Sequence, residues 1–240
     1  MKILDDLLSA IRQDSIVKDV RQGPFQTAVL THNCGLAATP HEYAHHQDIA
    51  PVKEAGKLIG KGALEVTKMA YSSSLPEAAI GMATINSLLE VDERSCVVLN
   101  AKDLIAEKGK DKKVALIGHF PFVPELRKTV KELWVIEQHP REGDFAQGEA
   151  ENLVPQADVV GITGTAFTNH TIEHLLNLCR SEAYVIILGG TTPLSPVLFN
   201  HGIDAISGTK VINPDTVLHC VSQGATFRQV KGIRLLTMRK

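Results

Sequence analysis

The chain has 240 residues, a formal charge of -2 at neutral pH and 44% hydrophobic against 22% charged residues. That balance fits a soluble globular protein of one large or two small domains and favours neither nucleic acid nor an anionic membrane as partner. No apolar run approaches the 18 or so residues of a membrane span. The N-terminal MKILDDLLSAIRQD carries acids among its leucines and reads as an amphipathic helix over residues 2–13.

Two β-prone runs follow, Ile16 to Arg21 and Phe25 to Thr31, joined by Gln22-Gly23-Pro24 as a hairpin. Gly35 to Asp48 is polar and loop-like and holds His41, His45 and His46. Loop histidines can converge on a soft metal or an anion, although a solvated loop also explains them. Short helices are expected at 54–59 and 62–69. A longer one follows from Pro76 to about Glu90, with Asn86 standing among small apolar residues, and Asn100 caps a helix over 102–107. The four cysteines, Cys34, Cys96, Cys179 and Cys220, are scattered without a CxxC pair, which suits buried thiols in a reducing, cytoplasmic setting.

At Gly109 to Lys113 (GKDKK) the pattern changes to alternating βα units. Strands are expected at 114–117, 133–136, 159–162 and 184–188, two shorter ones near Ala205-Ile206 and Val211, and a last one over 232–238. Helices are expected at 124–131, 146–153, 171–178 and 214–221. The fold class is therefore α/β, an α+β domain over residues 1–108 followed by an open parallel sheet with helices on both faces over 112–240.

In such a sheet the ligand lies at the carboxyl ends of the strands, where strand order reverses. That rule selects Gly118 and His119 after the first strand and Glu137 after the second. Thr163, Gly164, Thr165 and Asn169 follow the third, and Gly189 the fourth. Glu137 lies 19 residues beyond Gly118, near the spacing of a ribose-binding acid. However, HFPFVP follows Gly118 where a dinucleotide turn needs further glycines. His170-Thr171-Ile172-Glu173-His174 matches H-x-x-E-H formally but lacks a third metal ligand downstream. There is no G-x-S-x-G elbow and no P-loop lysine. Glu137 is the first candidate for an acid or base and His119 the second. Burial would favour the neutral carboxyl of Glu137, and the nearby helix N-terminus the charged form.

The runs GHFPFVPELR (118–127), VIEQHPREGDF (135–145), LVPQADVVGITGTAFTNHT (153–171) and GGTTPLSPVLFNHGIDAISG (189–208) resemble the family of putative heavy-metal chelation domain proteins. VRQGPFQTAVL (20–30), GLA (35–37) and SLPEAAIGMATINSLL (74–89) extend the resemblance to the first half. It implies an enolase-N-terminal-like domain, then a Rossmann-like domain, with a ligand cleft between them. The positions it marks are Gly118, Pro121, Glu137, Pro140, Thr163, Gly164, Thr165, Asn169, Thr171 and Gly189, with Glu77 and Asn86 from the first domain. Gly189-Gly190 departs from the Gly-Pro usual in the family. The implied function is a binding protein or enzyme of metal or metallo-cofactor metabolism, with room for a divalent metal ion. An enzyme acting on a nucleotide-derived or other anionic small molecule, and a non-catalytic partner-binding protein, stay open beside it, as does a homo-oligomer.

Overall fold

A computed structural model of the chain describes residues 1–40 and 51–240. His41, His45 and His46 lie outside the described residues. The leucine stripe of the N-terminus forms helix α1 (Lys2–Ser9), with Ile3, Leu4 and Leu7 fully buried. The hairpin forms as β1 (Asp19–Gln22) and β2 (Gln26–Leu30), antiparallel from Asp19↔Leu30 to Gln22↔Thr27. The stretch from Gly35, expected as loop, instead contributes β3 (Cys34–Ala38), antiparallel to β2 and closing a three-stranded sheet. Apart from Leu36 its residues, CGLAA, are small, and at Gly35 the reason is packing: the backbone of a helix lies directly against it.

Residues 54–59 form turns rather than the expected helix, interrupted by Gly56 and Gly60 at positive φ. The chain then builds α2 (Ala63–Thr67) and α3 (Leu75–Leu88), with Pro76 in the first turn of α3. That helix is buried nearly all round, which is why its apolar residues form no single stripe. It packs on β2 and β3 and also reaches the second half of the chain.

β4 (Cys96–Val97) and α4 (Ala101–Gly109) follow, the latter capped by Asn100, whose Oδ1 accepts from Lys102 N. The βα series is β5 (Lys113–Ile117), α5 (Val123–Leu126), β6 (Glu132–Glu137), β7 (Phe145–Ala146) and α6 (Ala150–Leu153). It continues with β8 (Val159–Thr163), α7 (Thr165–Thr168), α8 (Ile172–Leu178) and β9 (Tyr184–Leu188). The last elements are β10 (Ala205–Val211), α9 (Pro214–Ser222) and β11 (Ile233–Arg239). The two short strands expected near 205 and 211 are thus one. The helices expected at 124–131 and 146–153 are shorter than read, the second because Phe145–Ala146 pairs with β6 as a strand.

The large sheet has the order β4-β11-β10-β9-β8-β5-β6-β7. From β10 to β7 its strands are parallel, and β11 and β4 join antiparallel at one end. The chain runs outward from β5 through β6 to β7, then returns to the other side of β5 for β8, β9 and β10. Strand order therefore reverses between β5 and β8. β4 and α4, although they precede the charged run at 109–113, belong by pairing and packing to this sheet.

The result is a two-domain α/β architecture with one antiparallel and one mixed sheet. One of three core clusters joins its parts, running from Ile3, Leu7, Met82 and Ile85 of the first helices to Ile162, Phe167 and Ile206 of the large sheet and its helices. Polar contacts add to it. Ile3 N donates to Glu173 Oε1 at 2.8 Å, and His201 Nε2 meets Asp6 Oδ2 at 2.9 Å. No described helix is long and apolar enough to cross a membrane.

Candidate functional site

The strand-order reversal leaves a crevice at the carboxyl ends of β5 and β8, because the connections leaving these neighbours go to opposite sides. A cavity of about 240 Å³ lies there, lined among others by Gly118, His119, Glu137, Thr163, Thr165, Asn169 and Thr171. Seven of the residues marked in the sequence are thus brought together. All described lining residues fall between Ile117 and Leu175.

Gly118, directly after β5, has φ +105°, a conformation that glycine alone adopts without strain. The turn it makes presents His119 N to Glu137 Oε1 at 2.8 Å, while Glu137 Oε2 accepts from Gln138 N at 3.0 Å. The carboxylate therefore pins the turn after β5 to the end of β6, and its remaining lone pairs are what it can offer a ligand.

His119 is held from the other side. Its Nδ1 lies 2.8 Å from Asp144 Oδ2, which also accepts from Arg141 N at 3.1 Å. Asp144 is 1% exposed at its side chain, and its second oxygen is buried without a partner among the described residues. The carboxylate accepts from Nδ1–H, so Nε2 is the nitrogen left to exchange a proton with a ligand. Arg127 steadies the same loop by donating to Gly143 O at 2.9 Å. Asp144 was not singled out from sequence: it lies 25 residues from His119 and stood only within the run VIEQHPREGDF.

On the β8 side, Thr163 and Thr165 share a hydrogen bond between hydroxyls at 3.0 Å. Asn169 Oδ1 accepts from Thr171 Oγ1 at 2.7 Å and from Thr171 N at 3.3 Å, and its NH₂ group has no hydrogen-bond partner among the described residues. The crevice thus carries one carboxylate, one oriented imidazole, hydroxyls and an amide donor.

The other marked residues lie elsewhere. Gly164 packs against the backbone of Thr191 and Thr192, and Gly189, at φ +118°, lines a different cavity. Glu77 is buried, accepting from Lys53 N at 2.9 Å and Ser72 Oγ at 2.6 Å. Burial pushes its carboxyl up, but these hydrogen bonds outweigh it and hold the group below the usual range. Asn86 donates through Nδ2 to Leu36 O at 2.9 Å and Thr191 O at 3.0 Å, tying β3 to the turn after β9. Asn86 Oδ1 is buried without a partner among the described residues, and neither Glu77 nor Asn86 lines the crevice.

The H-x-x-E-H match does not assemble. His170 Nε2 donates to Ala70 O at 2.7 Å, Glu173 accepts from α1, and His174 pairs with Glu151 at 2.7 Å on the surface. Burial pushes the Cys34 thiol to about 12 and the Cys179 thiol to about 11, which disfavours both as thiolate nucleophiles. Among the described residues no three His, Cys, Asp or Glu side chains form a group able to hold a metal ion. In the crevice Glu137 and His119 supply only two such donors, and each is already oriented by the protein. The described residues alone do not fit a resident ion.

Comparison with known proteins agrees with this two-part plan. Two family models match the chain, both described as "Putative heavy-metal chelation", one over residues 4–89 and the other over residues 100–240. An uncharacterized protein of Methanocaldococcus jannaschii is 31% identical over 183 residues, covering 72% of this chain and 70% of the relative. A crystal structure of a protein of unknown function from Desulfitobacterium hafniense DCB-2 superposes with a TM-score of 0.88 at 25% identity, covering 100% of this chain and 98% of the other. One from Pyrococcus horikoshii does so with a TM-score of 0.82 at 20% identity and the same coverage, a likeness of fold. The chain belongs to the family described as putative heavy-metal chelation.

Proposed function

We propose that the crevice between β5 and β8 binds a small polar metabolite of metal or metallo-cofactor metabolism, and that His119 acts on it as acid or base. The observation that carries the reading is the convergence of Glu137, His119, Thr163, Thr165 and Asn169 from three strand ends on the point of strand-order reversal. Asp144 fixes the tautomer of His119 and would stabilise the imidazolium as it forms. Glu137 and the threonine hydroxyls would orient the ligand by hydrogen bonds. A volume of about 240 Å³ is below the roughly 300–1,000 Å³ of pockets for drug-sized ligands, so the occupant is compact or inserts one end. The family description brings metal into this reading as part of what the metabolite carries or is destined for, and no step here depends on an ion.

The parallel strands run in the order of a Rossmann-like sheet when counted from β5, and the domain before it is read as enolase-N-terminal-like. This order gives a second reading some support. Glu137 ends the second strand, where a ribose-binding acid stands in such folds, so a nucleotide-derived ligand fits. Phe120 and Pro121 after Gly118 argue against a dinucleotide pyrophosphate.

A thermal-shift screen over divalent metals, nucleotide derivatives including S-adenosylmethionine, and small polar metabolites separates these readings. A ligand present at about 100 times its Kd stabilises by about 2.7 kcal/mol. For a chain of this size that raises Tm by roughly 5–10 °C. The first reading expects such a rise from a compact metabolite or its metal complex, and the second from a nucleotide derivative alone. A rise with bare metal ions only would contradict both.

A further inference from the structure

A larger cavity, about 390 Å³, lies on the other side of Phe120 from the proposed site. Its walls are aromatic. Phe120 and Phe122 stack with centroids 5.3 Å apart and planes at 19°, and Phe227 faces the same space from the segment before β11. Phe227 lies on the turn after β9 because that turn is glycine. A Cβ at Gly190 would come within 2.7 Å of the ring.

Polar groups in this cavity are unevenly satisfied. On the floor, Ser207 and Thr237 share a hydrogen bond at 2.7 Å, and Thr237 also donates to Leu99 O. Thr209, on the same face of β10 as Ser207 by strand alternation, has its Oγ1 shielded from water and without a partner among the described residues. Because that oxygen is closed off from the cavity's open space, it is no contact for a ligand there. At the rim Lys102 is neutralised by its ion pair with Glu125, whereas Arg228 makes no ion pair or hydrogen bond among the described residues. The wall therefore suits a flat apolar body, with at its edge one cation that has no ion-pair partner among the described residues.

We propose that this cavity binds a flat aromatic or heteroaromatic acid. The ring packs among Phe120, Phe122 and Phe227, where offset and edge contacts favour it, and the anion meets Arg228. The site is separate from the crevice and shares only the Phe120 wall with it.

Calorimetric titration with naphthalene-2-carboxylate, and in parallel with the neutral naphthalene-2-carboxamide, tests the proposal. The expected result is saturable 1:1 binding, the acid about fivefold tighter than the amide, as a partly exposed charge pair provides. Arg228→Gln, at an exposed position, should leave the melting temperature unchanged and bring the two affinities together. Phe227→Ala should weaken both ligands, and Phe227 does not line the crevice, so this variant places the binding. Should Phe227→Ala fail to fold, the Arg228→Gln comparison decides. Absence of saturable binding, equal affinity of acid and amide, or a preference that survives Arg228→Gln would overturn the proposal, as would binding untouched in a folded Phe227→Ala.

Discussion

Gly35→Ala is expected to lower stability by at least about 3 kcal/mol, which for a chain of this size is a fall in Tm of roughly 6–12 °C. A Cβ at this position of β3 would come 2.0 Å from Ala83 O, 2.4 Å from Ser87 N and 2.8 Å from the carbonyl carbon of Asn86. All three are backbone atoms of α3, which no side-chain rotation can move aside. The helix would have to lift from β3, and it carries Met82 and Ile85 of the shared core together with the Asn86 tie to the turn after β9. Gly148→Ala is the matched control, since nothing lies within 4 Å of its added Cβ and an exposed change of this kind stays within about 0.5 kcal/mol. Thermal melts of the two variants check the account, and a Gly35→Ala protein melting with the wild type would show that α3 does not rest on β3 in this way.

The second large effect concerns proton transfer. With a stabilising metabolite in hand, His119→Ala is expected to reduce its turnover by about two orders of magnitude or more while most ligand-induced stabilisation remains. Asp144→Asn should do the same to a smaller extent, because the amide still accepts from Nδ1–H but brings no charge to stabilise the imidazolium. Glu137→Gln should act differently. It replaces a carboxylate that accepts from both His119 N and Gln138 N, so binding weakens along with turnover as the turn after β5 loses its anchor. Steady-state kinetics and ligand-induced Tm, measured together on the three variants, separate these roles. If Asp144 merely holds its loop, Asp144→Asn lowers Tm and binding together. A wild-type protein that binds the metabolite without turning it over contradicts the proton-transfer role and leaves a binding protein.

The strand ends were legible because a buried parallel strand has a plain signature, a short branched apolar run stopped by glycine or threonine. VALI before Gly118 and VVGI before Thr163 both carry it. β3 was hidden because its small residues answer to the backbone of α3, a partner some 45 residues later. β4, two residues long, has too little pattern to show, and it joins the large sheet from before the charged run read as a boundary. That Gly118, Glu137, Thr163 and Thr165 share one crevice was legible because sheet topology alone fixes strand ends. Asp144 escaped since its loop is drawn to His119 by hydrogen bonds that no spacing records. Glu77 and Asn86 were expected to reach across a cleft, but Glu77 accepts from Lys53 and Ser72 and Asn86 Nδ2 donates to Leu36 and Thr191, while Asn86 Oδ1 is without a partner among the described residues. A buried polar residue on an apolar helix signals a demand for hydrogen bonds, and the sequence does not say whether a ligand or the fold meets it.

The most direct measurement is a crystal structure of the protein with the metabolite that most raises its Tm. Density is expected in the crevice between β5 and β8, within hydrogen-bond distance of Glu137, the Thr163 and Thr165 hydroxyls or the Asn169 amide, and in reach of His119 Nε2. A metabolite bound elsewhere, with this crevice empty, would contradict it.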